Sequence, residues 1–269
     1  MRSTDGIAPL PARTDNGSAM KIERAPRKSW SGFSDVLIVR EEMSVRRHPE
    51  YRAAKVGDVG AAKRLAAAFV TNDHIERLHA TVTAHRAKGG AGIRVRVLPV
   101  HAIEAEGINR IPAAFGELLA ERLALEVETG VVQINVVGHT GASGWWRLAH
   151  PPIFEGAIAA EAAFLLVDDF VGQGGTLANL RGHVLKRGGE AIGAVTLTGK
   201  GYSATLALRA DTLTVLRAKH GPELEDWWRK TFGYGFDALT ESEARYLFRA
   251  EDADAVRNRI VEARSSAKR

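Results

Sequence analysis

Cysteine is absent from the chain. That excludes disulfide staples, thiol nucleophiles and thiolate metal sites, and it agrees with a reducing cytoplasm, the expected location. Long hydrophobic runs are missing too. No apolar stretch approaches the ~20 residues that a membrane-spanning helix needs, so no membrane partner is expected. The opening stretch, "MRSTDGIAPLPARTDNGSAMKIERAPRKS", lacks the apolar centre of a secretory signal. A strong charge of either sign is also lacking. The 37 basic and 32 acidic residues leave a net charge of +5. That surplus suits a phosphate-rich ligand and a solvated surface equally, and it is too small to argue for nucleic acid alone. No internal repeat is found.

What is present is a chain of 269 residues, 45% hydrophobic, enough for one large core with appendages. Residues 1–30, rich in Pro, Ser, Gly, Arg and Asp, read as a disordered tail. Residues 31–90 read as a mainly helical extension. "DVLIVR" (35–40) is a short strand, and "EYRAAKVGDVGAAKRLAAAFV" and "NDHIERLHATVTAHRA" carry Ala and Leu at helical spacing, with Asn72 or Asp73 as cap of the second. "KGGAG" (88–92) breaks the pattern.

Over 91–200 strands and helices alternate. "IRVRVLPVHA" (93–102) reads as a strand and "PAAFGELLAERL" (112–123) as a helix with Pro112 in its first turn. "LEVETGVVQINVV" (125–137) gives two strand-like pieces around Thr129-Gly130. "EGAIAAEAAFLLV" (155–167) ends in a buried strand, "TLANLRGHVLKRGG" is a helix stopped by Gly188-Gly189, and "AIGAVTLTG" (191–199) is another buried strand. This alternation predicts an open parallel α/β sheet. Residues 201–269 read as a helical C-terminal extension. In it, Thr240 and Glu243 form a capping-box pattern, a last helix starts near Asp252, and Trp227, Trp228, Phe232 and Tyr234 make a satellite core.

One stretch carries chemistry: "FLLVDDFVGQGGTLANL" (164–180). Asp168 and Asp169 fall at the carboxyl end of a predicted strand, where open sheets bind ligands. Gly172, Gly174 and Gly175 let the backbone turn with its N–H groups inward, and Thr176 opens a helix whose amino end is partly positive. That makes an anion nest suited to one phosphate. Carboxylates beside it would repel a phosphate but accept hydrogen bonds from hydroxyls or face a divalent cation. Ribose 5-phosphate has the matching layout. Rival motifs fail on spacing. "GAVTLTGKG" (193–201) is no Walker loop, Leu177 stands where a dinucleotide fingerprint needs glycine, and Trp145 stands where a nucleophile elbow does.

"FLLVDDFVGQGGT" resembles the phosphoribosyl-pyrophosphate motif of type I phosphoribosyltransferases, and the resemblance extends less sharply over about residues 93–200. It implies a parallel sheet with helices on both faces, a diphosphate substrate bound with Mg2+, and transfer of phosphoribose to a nucleobase-like nitrogen heterocycle. By that resemblance Asp168 and Asp169 bind the ribose hydroxyls, and Gly172, Gln173, Gly174, Gly175 and Thr176 hold the 5-phosphate. No direct metal ligand is implied, and Asp168 reaches Mg2+ through water. Gln173 departs from the small hydroxylated residue common there.

The matching pyrophosphate loop is "PVHAIEAEGINRIP" (99–112), with His101 and Arg110 as diphosphate ligands and Glu104 and Glu106 as solvated carboxylates. The stretch 135–156 matches a flexible catalytic loop. Orotate-type members carry a lysine there, but this chain has none between Lys88 and Lys186. Arg147 is the natural cation, ahead of His139 and His150, and Trp145 and Trp146 are expected to pack the loop down. The flanks 31–90 and 201–269 match the variable hood that selects the base, and the run "VRRHPEYR" (45–52) reads as a solvated face. Two functions follow: a phosphoribosyltransferase, or a regulator of the same fold that senses phosphoribosyl pyrophosphate or a nucleotide. The acceptor base and assembly into a homodimer are left open.

Overall fold

The computed structural model describes residues 26–90, 92–104, 107–135 and 143–266. Residues 1–25 of the tail expected over 1–30, the loop carboxylates Glu104 and Glu106 as side chains, and His139 lie outside what it describes. Five parallel strands form the sheet: β1 (Leu37–Glu41), β2 (Arg94–Pro99), β3 (Glu126–Val127), β4 (Ala162–Val171) and β5 (Glu190–Gly199). Their order is β1-β5-β4-β2-β3. The helices are α1 (Glu42–Arg46), α2 (Tyr51–Lys55), α3 (Val59–Phe69), α4 (Asn72–His85), α5 (Ile111–Leu123), α6 (Gly144–Ala149), α7 (Gly175–Lys186), α8 (Ala210–Phe232), α9 (Glu241–Phe248) and α10 (Ala253–Ser265).

The apolar run of β4 shows why both faces are covered. Phe164 and Leu166 join Leu177, Leu180 and Val184 of α7 in one cluster. Leu165 and Val167 join Phe115 and Leu119 of α5 in another. Burying each such side chain contributes about 1.5–3 kcal/mol. The chain leaves β2 for β3 at one edge and returns to β4 on the other side of β2. The strand order therefore reverses between β2 and β4, and the crevice beyond their carboxyl ends is where open α/β sheets bind ligands.

The flanks are built into this body. Ala54 of α2, Ala61, Ala62, Leu65 and Ala66 of α3, and Leu78 of α4 share the α5-side cluster. The first helical stretch breaks in two because Gly57 takes φ +122° and Asp58 caps α3, accepting from Ala61 N at 2.9 Å. The cap residue of α4 is Thr71, one before Asn72, and its N–H donates to His74 Nδ1. Only the first of the two strand pieces at 125–137 joins the sheet. Val132–Gln133 instead pairs antiparallel with Phe154–Glu155.

The C-terminal helices form their own cluster around Trp228, Phe236 and Leu247, and the Thr240–Glu243 capping box is made as the spacing predicts. Asp252 caps α10. The stretch 135–156 was expected as an irregular loop, but it holds α6, whose Leu148 and Ala149 are buried in that same cluster. Residues 26–30, assigned to the tail by composition, are packed. Arg27 is buried and Trp30 Nε1 donates to Leu239 O at 2.7 Å. Among the described residues no helix is long and apolar enough to cross a membrane.

Candidate functional site

A cavity of 580 Å³ opens at the carboxyl ends of β2 and β4, floored by the acid pair and the glycine turn. Successive side chains of a strand point to opposite faces. Asp168 therefore follows Leu166 toward the α7 side, and Asp169 follows Val167 toward α2 and α5. The partners agree with that alternation. Asp169 Oδ2 accepts from Lys55 Nζ at 2.9 Å, at the end of α2, and from Asn109 Nδ2 at 3.0 Å, just before α5. Asp168 is only 6% exposed, and its Oδ1 accepts the Asp169 backbone N–H at 2.8 Å.

These surroundings separate the two acids. Burial, then the neighbouring charge of Asp169, pushes Asp168 well above the usual aspartate range. Burial also acts to raise Asp169, but the Lys55 ammonium and the hydrogen bonds from Lys55 and Asn109 outweigh it and hold Asp169 below that range. The surroundings thus favour the negative charge on Asp169 over Asp168.

The turn that follows is shaped by its glycines. Gly174 is the residue before α7 and takes φ +80°. The first-turn amides of α7 at Gly175 and Thr176 have no carbonyl four residues back within the helix to accept them. Thr240 Oγ1 donates to Gln173 O at 2.5 Å, fixing the turn from the C-terminal lobe. The Gln173 side-chain Oε1 is buried without a hydrogen bond among the described residues. A methyl group on Gly174 would sit 2.3 Å from Leu206 Cδ2 and 3.3 Å from Thr240 Cγ2. Gly174→Ala is therefore expected to cost roughly 2–4 kcal/mol through strained backbone and clash, read as a lower thermal midpoint together with weaker ribose 5-phosphate binding.

Two arginines border the turn. A Cβ on Gly172 would lie 2.7 Å from Arg147 Nη1, so the Arg147 guanidinium rests directly against the turn. It is carried there by α6, whose Ser143 cap accepts from Trp146 N. Trp145 packs on Tyr246 with ring centres 5.0 Å apart, and Trp146 stacks on His150 at 3.8 Å. Both tryptophans thus pack the segment, and His150 is engaged in that stack rather than lining the cavity. On the other side Arg27 donates to Glu243 at 2.5 and 3.0 Å and to Gly175 O at 3.4 Å.

The structure brings Asp168, Asp169, Arg147 and the turn Gly172–Thr176 into one cavity. It does not bring His101 or Arg110 there. The His101 carbonyl oxygen accepts the Gln133 backbone N–H at 2.8 Å, and burial and then the charge of Arg110 hold its imidazole below the usual histidine range. A neutral ring is a poor diphosphate ligand. Arg110 occupies the cap position of α5, with its N–H donating to Ala54 O at 3.2 Å. The loop instead contributes Asn109 to the cavity.

Arg46, Arg52, Lys55 and Lys200 also line the cavity, and sequence reasoning missed them as site residues. The run 45–52 was read as a solvated face, yet it supplies two of these cations. A signal was present: Arg52 and Lys55 stand three apart on a helix and share one face.

No protein-family model matches this chain. It is 39% identical over 244 residues to Protein TraN of Escherichia coli, an alignment that covers 91% of this chain and 53% of that protein. It is 37% identical over 161 residues to an uncharacterised protein of Haemophilus influenzae, covering 60% of this chain and 34% of that one. The chain thus spans about half the length of the first relative and a third of the second. Solved structures similar to it include an adenine phosphoribosyltransferase from Leishmania tarentolae, with 14% identity over 73% of this chain and 91% of that one at a TM-score of 0.30. Leishmania donovani UMP synthase matches at 14% identity over 77% of this chain and 48% of that one, with a TM-score of 0.27. The sheet order, the acid pair at the end of β4 and the glycine turn into α7 define the fold on their own: an α/β, type I phosphoribosyltransferase-like parallel sheet with helical extensions at both ends.

Proposed function

We propose that this chain is a phosphoribosyltransferase that moves phosphoribose from phosphoribosyl pyrophosphate to a nitrogen base and releases pyrophosphate. The observation that carries this reading is the meeting, in one cavity, of a buried acid pair with a helix-opening glycine turn and Arg147. In it, the amides of Gly172–Thr176 and the Arg147 guanidinium hold the 5-phosphate, and the acids accept hydrogen bonds from the ribose diol. The bond from C1 to the diphosphate oxygen breaks with its electron pair leaving on that oxygen. The lone pair of the base nitrogen forms the new bond to C1, and the nitrogen's proton passes to solvent. The protein's part is to align the two reactants and neutralise the departing charge.

Mg2+ enters this scheme with the substrate. Among the described residues no three His, Asp or Glu side chains converge as a metal cage, and Asp169 Oδ2 already has Lys55 and Asn109. Such a donor set suits Mg2+ carried on diphosphate oxygens, with Asp168 reaching it through water. Bound there, the ion would offset charge on the leaving group.

The test is pyrophosphate release by purified protein supplied with phosphoribosyl pyrophosphate, Mg2+ and a panel of purine, pyrimidine and pyridine bases. Base-dependent release is the expected result. Tight binding of phosphoribosyl pyrophosphate with no release from any base would overturn the enzymatic reading and leave a sensor of the same ligand.

A further inference from the structure

We infer that Lys55 is a cation this chain supplies to the diphosphate of its substrate, delivered by the N-terminal extension instead of by the stretch at 135–156. The inference rests on the phosphoribosyl-transfer reading and deepens it by naming a ligand of the leaving group.

Three observations place Lys55 for that task. It lies in the cavity with its ammonium 2.9 Å from Asp169 Oδ2. It arrives on the β2 side of the site, where its fellow donor to that oxygen is Asn109 of the pyrophosphate-loop stretch. Its helix is tied to the same stretch, because Arg110 N donates to Ala54 O at 3.2 Å, and a Cβ on Gly107 would lie 3.0 Å from Val56 O. The glycine turn, by contrast, is bordered by Arg147, Leu206 and Thr240.

The chemistry of the substrate then fixes the role. In phosphoribosyl pyrophosphate the diphosphate sits on C1, next to the C2 hydroxyl, while the monoester sits at the far end on C5. A cation beside the acid that takes the diol is therefore near the diphosphate and remote from the 5-phosphate. Lys55 also neutralises Asp169, which would otherwise repel an incoming diphosphate. The chain has no lysine between Lys88 and Lys186, so the segment at 135–156 cannot offer one. Its arginine, Arg147, rests against the turn.

The role predicts an asymmetry between two ligands that share the ribose 5-phosphate half. Calorimetric titration at pH 8 of wild type, Lys55→Ala and Lys55→Arg uses ribose 5-phosphate alone and phosphoribosyl pyrophosphate with Mg2+. Lys55→Ala is expected to weaken the diphosphate ligand by about tenfold or more, the loss of one charge-assisted contact. It should weaken ribose 5-phosphate by less than about threefold, and Lys55→Arg should restore most of the loss. Far-UV circular dichroism and a thermal melt establish that each variant is folded, and Lys55→Met serves if the alanine variant is not. Equal weakening of both ligands, or of neither, overturns the role of Lys55 while leaving phosphoribosyl binding intact. Wild type that binds neither ligand overturns the underlying reading and the inference with it.

Discussion

Glu243→Ala is expected to lower the unfolding free energy by about 3–5 kcal/mol, the cost of leaving a buried guanidinium without its partner. Arg27 and Glu243 are each only 3% exposed at the side chain and meet through two hydrogen bonds. The carboxylate also accepts the Thr240 N–H at 2.9 Å, so the cap of α9 is lost with it. For a chain of this size the thermal midpoint should fall by roughly 10 °C. The double variant Arg27→Met with Glu243→Leu should recover most of that loss, because an apolar pair of similar volume avoids desolvating two charges. The pair also lies under the phosphate turn, since Gly175 Cβ would sit 2.8 Å from Glu243 Oε1. A folded double variant is therefore a probe of whether the turn needs the charge or only the packing. Thermal melts of the single and double variants decide the stability part, and a single-variant cost below about 1 kcal/mol would mean that the pair is not a brace.

What the sequence disclosed is what is contiguous in it. The strand, acid pair, glycine turn and helix of 164–186 occur in one run, so local spacing sufficed to place Asp168, Asp169, Arg147's neighbour Gly172 and Thr176 in a common site. The parallel sheet was legible for the same reason, from alternating apolar and helical patterns. Lys55, Asn109 and Arg27 were not legible as site residues. They reach the cavity from segments far away in the chain; the spacing in "YRAAK" puts Arg52 and Lys55 on one helix face, but neither it nor "ERAPRK" tells whether that face turns inward or to water.

The residues that do not line the cavity show a second limit. His101 and Arg110 were chosen because loop cations suit a diphosphate. The His101 carbonyl instead accepts the Gln133 N–H, and the Arg110 N–H donates to Ala54 O of α2. The packing of residues 26–30 was hidden because tail-like composition does not report a buried ion pair whose partner is 216 positions away. Likewise α6 was hidden by glycines and prolines, although Leu148 and Ala149 have a hydrophobic lobe to fill. Gly144 there allows a close approach, since its Cβ would fall 2.4 Å from the Tyr246 ring.

The two acids, alike in sequence, should answer substitution in opposite ways. Asp168 has its folded pKa raised, chiefly by burial and then by Asp169. Its stabilising contribution is fully present below the ordinary aspartate value of about 3.9 and is lost as pH rises through the higher folded value. At pH 8 the buried Asp168 carboxyl therefore costs stability. Asp168→Asn should raise the thermal midpoint by roughly 2–4 °C, and the gain should shrink as pH is lowered toward 4. The amide oxygen can still accept the Asp169 N–H, so the local backbone is kept.

Asp169 has its folded pKa lowered by Lys55 and Asn109 against the opposing effect of burial. Its contribution is present above the ordinary value and is lost as pH falls through the lower folded one. Asp169→Asn should destabilise at pH 8, because Lys55 loses its anion. Both variants should lose on the order of a hundredfold in phosphoribosyl transfer, since an amide binds a diol less strongly than a carboxylate does. Thermal melts from pH 4 to 8 beside pyrophosphate-release assays check both. Equal destabilisation by the two substitutions would mean that the charge is not divided between the acids in this way. Opposite signs with a shared loss of turnover would mark Asp168 as a residue kept at a cost to stability for the chemistry at C1.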